Sequence, residues 1–189
     1  PDEATGSDAI LVAAGISAIS EGDFSSSSNA TKLSFKTGAS EAATEKMYIT
    51  STGNVNMKNT ATGDDTPVTL TLQTGETDIA AADKLGVINF QAPDEGTGTD
   101  AILVAAGIEA VSEGDFSSSN NATKLSFKTA ASEAATEKMH ITSAGNVNMK
   151  NTATGDDTPV VLTLQTGETD IAASDKLGVI NFQAPDEGT

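Results

Sequence analysis

The stretch TKLSFKT, residues 31–37, decides the fold class. In an extended chain Leu33 and Phe35 fall on one side while Lys32, Ser34 and Lys36 fall on the other; a helix would scatter them around its circumference. The alternation recurs outward along the chain. EKMYIT (45–50) sets Met47 and Ile49 against Lys46, Tyr48 and Thr50. GNVNMKN (53–59) sets Val55 and Met57 against Asn54, Asn56 and Lys58, after a tight turn in STGN. PVTLTLQT (67–74) sets Val68, Leu70 and Leu72 against Thr69, Thr71 and Gln73. Turn-forming residues fill the spacers DEATGSD, EGDFSSSSN, ATGDDTP and QTGETD. Period-2 runs between such spacers predict β-strands with one wet face each.

Two segments, AILVAAGI (9–16) and LGVINFQA (85–92), are apolar on both faces if extended and need cover on both sides. A helix over 9–20, capped by Asp8 and favoured by alanines, is the competing reading. Gly15 and the β-branched Ile10, Val12, Ile16 and Ile19 oppose it, so a strand is expected. Short helical turns are open within 77–86 and from Ser40, neither long enough to organise a fold.

PDEATGSDAILVAAGI at Pro1 returns as PDEGTGTDAILVAAGI at Pro93, and PDEGT begins again at Pro185. The period is 92 residues, and residues 1–92 differ from 93–184 at ten positions. The expected organisation is a first β-repeat over 1–92, a second over 93–184 and the start of a third over 185–189, a window on a longer array.

Composition narrows the function. Of 189 residues, none is Cys, Trp or Arg, one is His, one is Tyr, and the net charge is -17. Without Cys there is no disulfide scaffold, thiolate metal site or cysteine nucleophile. Ten Lys without Arg argue against nucleic acid, which needs clustered positive charge. No apolar stretch approaches the ~18 residues of a membrane span. Leu, Ile, Val and Phe number 37, just under a fifth of the chain, a composition bordering on disorder. The 21 large apolar side chains of one repeat are too few to order 92 residues alone, so neighbouring repeats or chains must supply further apolar contact. The two-sided strands are expected to form the surface shared between chains.

Candidate chemistry is sparse. His140 alternates with Met139 and Ile141 and is replaced by Tyr48 in the first repeat, so it is expected as an exposed residue on the polar face. A triad or zinc site needs partners that a lone imidazole lacks. Acidic groups cluster at Asp94, Glu95 and Asp100, at Asp156 and Asp157, and at Glu168 and Asp170. Hard cations bind such oxygens, but none of these clusters follows a known calcium-loop spacing, and solvated turns are expected. Paired carboxylates of a glycoside hydrolase would need a cleft, and scarce aromatics build none. EGTGTD lacks phosphate-loop spacing and its basic residue. No catalytic, cofactor-binding or metal residue is assigned, no cofactor is expected, and the chain is read as not an enzyme.

The order GVINFQAPDEGTGTDAILVAAGI, then SEGDFSSSNNATKLSFKTAASEAATEKMHITSAGNVNM, resembles repeats in the tail fibres of tailed bacteriophages, of the marine phage and cyanophage type. The most diagnostic part is KLSFKT followed by EKMHITSAGNV, similar to the L-F-T … E-R-M-R-I-S-G-N-V-G-I-G pattern of such fibres, and the resemblance covers both repeats. Lys46 and Lys138 stand where Arg is usual, Tyr48 and His140 fill the second Arg position, and NMK at 56–58 and 148–150 replaces GIG. The resemblance implies closely packed or intertwined homotrimers, with any self-cleaving chaperone domain and receptor-binding tip outside this window.

The expectation is therefore an all-β protein of tandem 92-residue β-repeats, assembling as an elongated homotrimeric fibre. It would be the shaft of an extracellular appendage on the virion surface, a spacer that presents a tip to the host cell. Its partners would be copies of itself, with the host surface reached indirectly and neither nucleic acid nor membrane bound. The expected core is Leu33, Phe35, Met47, Ile49, Val55, Met57, Leu70, Leu72, Ile88 and Phe90, with their counterparts 92 positions later. The alternative is a cell-surface adhesin or filament-forming repeat protein whose serine-rich and TGDDTP loops bind a ligand.

Overall fold

The tight turn expected in STGN closes a hairpin. Gly53 takes φ 85°, a left-handed conformation that glycine adopts without steric cost. Its N–H donates to the Thr50 carbonyl at 2.9 Å, and Thr50 N–H donates to the Asn54 carbonyl at 2.9 Å. This turn joins β3 (Thr44–Ile49) to β4 (Val55–Met57), antiparallel with Met47 opposite Met57 and Ile49 opposite Val55. Upstream, β1 (Ala14–Ser20) pairs with β2 (Thr31–Thr37), and β2 pairs with β3. A register shift after Phe35 brings Lys36 opposite Glu45 rather than Lys46.

A computed structural model describes residues 10–93 and 98–184 of the chain. It is all-β, with two antiparallel sheets in the orders β1-β2-β3-β4 and β5-β6-β7-β8-β9. The described residues fall into two units dividing between Thr71 and Leu72. In the second unit, β5 (Lys84–Gln91), β6 (Val104–Ser112), β7 (Thr123–Thr129), β8 (Thr136–Ile141) and β9 (Val147–Met149) form a five-stranded meander. A 3-10 turn, Asp100–Ile102, precedes β6. Strands β6–β9 repeat the pairing of β1–β4 residue for residue after a step of 92. β5 comes from the end of one sequence period and pairs with β6 from the start of the next, Ile88 opposite Ile108.

Several expectations need correction. Residues 67–74 form no strand, and neither do 159–166. The alternation of PVTLTLQT suits an extended chain, but a strand also needs a second backbone to exchange hydrogen bonds with. Residues 10–13 lie before β1 rather than in it, and the helical alternative is replaced by β1 over Ala14–Ser20. The segment after Ser40 enters β3 without a helical turn, and residues 77–83 make bends and turns only. Ala9, Asp94, Glu95 and the third-repeat residues 185–189 lie outside the described residues.

The largest correction concerns the core. Among the described residues, the buried apolar side chains are Val111 and Ala135, and the buried polar ones are Ser34, Glu109, Ser112 and Ser126. Of the expected core, Leu33, Val55, Met57, Leu70, Leu72, Ile88 and Phe90 are exposed. So are Leu125, Val147, Met149, Leu162, Leu164, Ile180 and Phe182 in the second period. Phe35, Met47, Ile49, Phe127, Met139 and Ile141, nearer the middle of each sheet, are half-buried. A single sheet has two faces, and among the described residues of each unit no second sheet covers the apolar one.

Candidate functional site: an uncovered apolar sheet face

Directly opposed residues of antiparallel strands share a face, so the registers define each surface. In the first unit Ile16 lies opposite Phe35, Leu33 opposite Ile49, Phe35 opposite Met47 and Met47 opposite Met57. One face therefore carries Ile16, Leu33, Phe35, Met47, Ile49, Val55 and Met57, with no charged side chain among these paired positions. The second unit repeats it with Ile108, Leu125, Phe127, Met139, Ile141, Val147 and Met149, and β5 adds Ile88 and Phe90. Contiguous exposed apolar surface of this kind marks an interaction site.

The opposite face is polar and better covered. Ser34, expected to be wet, is fully buried, and so is Ser126. Long side chains roof them. Opposite Ser34 stands Tyr48, with Lys32 Nζ 4.9 Å from its ring centroid, and Glu45 bridges Lys32 at 2.9 Å and Lys58 at 3.1 Å. Neither serine hydroxyl makes a hydrogen bond of ordinary geometry. Hydrogen bonding from Lys32, with help from Lys58, holds the Glu45 carboxyl at about 2.

His140 takes the place of Tyr48, opposite Ser126, and it too departs from expectation. It is on the polar face but partly covered, its Nδ1 3.0 Å from Glu137 Oε1. Glu137 also pairs with Lys124 at 2.8 Å and Lys150 at 2.9 Å. Burial resists its ionisation, but hydrogen bonds from Lys124 and Lys150 outweigh that and hold the carboxyl at about 2. Buried Glu109 adds a second clamp, to Lys84 at 3.0 Å and Lys128 at 3.4 Å. Alternation predicted the polar face but not its cover, because the stems of Lys and Glu carry apolar surface that a polarity pattern counts as wet.

The remaining candidates stay dispersed. Asp156 and Asp157 sit in an exposed turn where Asp157 has φ 54°, and Glu168 and Asp170 are exposed in irregular chain. Among the described residues no group of three or more His, Asp or Glu is placed to hold a metal ion. Among the described residues no helix is long and apolar enough to cross a membrane. The grooves are lined by strand ends and turns: one by Met57, Lys58, Asn59, Pro67 and Val68, its counterpart by Met149, Lys150, Asn151, Pro159 and Val160. No protein-family model, curated protein or solved structure matches the chain.

Proposed function

We propose that the protein is a structural element, the repetitive shaft of an extracellular homotrimeric fibre of the phage tail-fibre kind, a spacer with no catalytic step. The observation that carries this reading is the uncovered apolar face of each sheet. Three chains turning these faces inward would remove from water the side chains from Ile16 to Met57 and from Ile88 to Met149, at about 25 cal/mol per Å² of apolar area. The Lys–Glu networks would then face solvent. A net charge of -17 would keep such fibres apart from one another. Repeat number would set length, and attachment to a host would reside in a tip beyond the shaft.

Sedimentation equilibrium and velocity across a dilution series test it. The expected result is a mass based on three chains with a high frictional ratio. A monomer at every concentration would overturn the reading.

A further inference from the structure

PVTLTLQT (67–74) and PVVLTLQT (159–166) are two copies of one arm, and each lies well inside its period. Residues 66–76 and 158–168 run without a bend or turn. Among the described residues, no backbone-to-backbone hydrogen bond reaches either arm. Residues 159–166 share a unit with the period before them, and residues 72–74 with the period after them. A partner strand lying within one period in either direction would therefore already be paired in one copy or the other. The open backbone of the arm is a property of the repeat itself.

The first arm begins beside the apolar pair Met47 and Met57, with which Val68 shares a groove. It ends on β5, where Leu72 rests so close to Gly86 that a Cβ there would lie 2.9 Å from the leucine Cβ. Gly86 stands opposite Ala110 and Ala110 opposite Leu125, so this contact is on the apolar face. The second arm repeats both features: Val160 shares a groove with Met139 and Met149, and Leu164 approaches Gly178 in the same way, at 2.7 Å.

Successive side chains of a straight, non-helical segment point to opposite sides. With Leu72 turned onto its own sheet, Thr71 and Gln73 turn away from it. That second side is uncharged as well. Neither arm carries a charged residue, although Asp64, Asp65, Glu76 and Asp78 flank the first, and Thr69 is replaced by Val161 in the second period. Leu70 is 60% exposed and Val161 74%.

We infer that the arms are interchain segments: each packs, through the side that carries Thr71 or Thr163, against the same arm of a second copy. This rests on the reading that chains associate through their apolar faces, and it assigns the inside of that assembly to the arms. An arm lying on one apolar face is caught between that face and the next when the faces turn inward, and symmetry then brings identical arms together. Their open N–H and C=O groups are free to exchange the hydrogen bonds that their own chain does not supply.

The chain has no cysteine, so single introduced thiols report the contact. Thr71→Cys places one on the arm, and Asn56→Cys places one opposite Tyr48 on the polar face. Both variants are treated with a short bismaleimide at a concentration where sedimentation shows three chains. The expected result is covalent multimers of Thr71→Cys several-fold more abundant than those of Asn56→Cys. Equal yields from a three-chain assembly would overturn the inference and leave the shaft reading standing, whereas a monomer at every concentration would overturn both. A Thr71→Asp/Thr163→Asp variant should lose the three-chain mass where wild type keeps it, because the new charges would be buried, with its β-sheet circular dichroism retained. A solvated linker would tolerate them, so an unchanged mass would also overturn the inference.

Discussion

Ser112 and Asp83 exchange two hydrogen bonds: Ser112 N–H donates to the Asp83 carbonyl at 2.9 Å, and Asp83 N–H donates to Ser112 Oγ at 3.0 Å. The hydroxyl also donates to the Ala80 carbonyl. One side chain thus ties the start of β5 to the end of β6.

Ser112→Ala removes that hydroxyl and leaves Asp83 N–H and the Ala80 carbonyl to their mutual hydrogen bond of 3.3 Å. The expected cost is about 0.5–1.5 kcal/mol, confined to the β5 joint. Amide hydrogen exchange checks it: residues 84–91 should exchange faster while β7 and β8 keep their protection.

The acid response has a definite sign. Glu45 and Glu137 ionise at about 2 in the folded chain against an ordinary value of 4.5. A carboxyl depressed by folding contributes its full stabilisation above the ordinary value and loses it as pH falls towards the folded one. Thermal stability should therefore be level above pH 5 and decline from pH 4.5 towards 2. Glu137→Gln should lower the melting temperature at pH 7 and flatten the decline, as followed by circular dichroism. A variant with the wild-type acid profile would contradict this.

Ala82 adopts φ 75°, a left-handed conformation that penalises a Cβ by roughly 1–2 kcal/mol. Glycine removes that penalty but adds chain entropy in the unfolded state, roughly 0.5–1 kcal/mol. Ala82→Gly should raise stability by about 0.5–1 kcal/mol net, read as a higher urea midpoint. Ser174, at φ 80°, repeats the geometry and should respond in the same direction.

Leu125 lies on the apolar face, exposed in the single chain. Leu125→Asp should leave the β-sheet circular dichroism of the chain intact while lowering its sedimenting mass to that of fewer chains. Unchanged mass would remove the apolar face from the assembly.

The strands whose side chains alternate cleanly were legible from sequence. Leu33 and Phe35 against Ser34, and Val55 and Met57 against Asn56, define faces that the registers reproduce. Alternation reports that a chain is extended and two-sided, and no more. It could not show that PVTLTLQT lacks a partner backbone, nor that Tyr48, Lys32 and Glu45 would bury Ser34 and leave Leu33 open. It also carried no information on which neighbour each strand takes. That KLGVINFQ joins AAGIEAVS across the period boundary is a long-range pairing, invisible to local pattern.

The offset between the 92-residue period and the sheets it builds has a genetic consequence. A cut at the period boundary falls between β5 and β6, so it splits one sheet, yet every such cut leaves the same two ends. Unequal crossover between copies of the array would rejoin a KLGVINFQ strand to an AAGI strand whichever copies were involved. Whole periods could be gained or lost with each remaining donor strand still followed by an acceptor. If the protein is the shaft proposed above, its length would be free to drift while the strand pairing is kept, and the ten differences between the two periods leave the β1–β2 register unchanged in β6–β7.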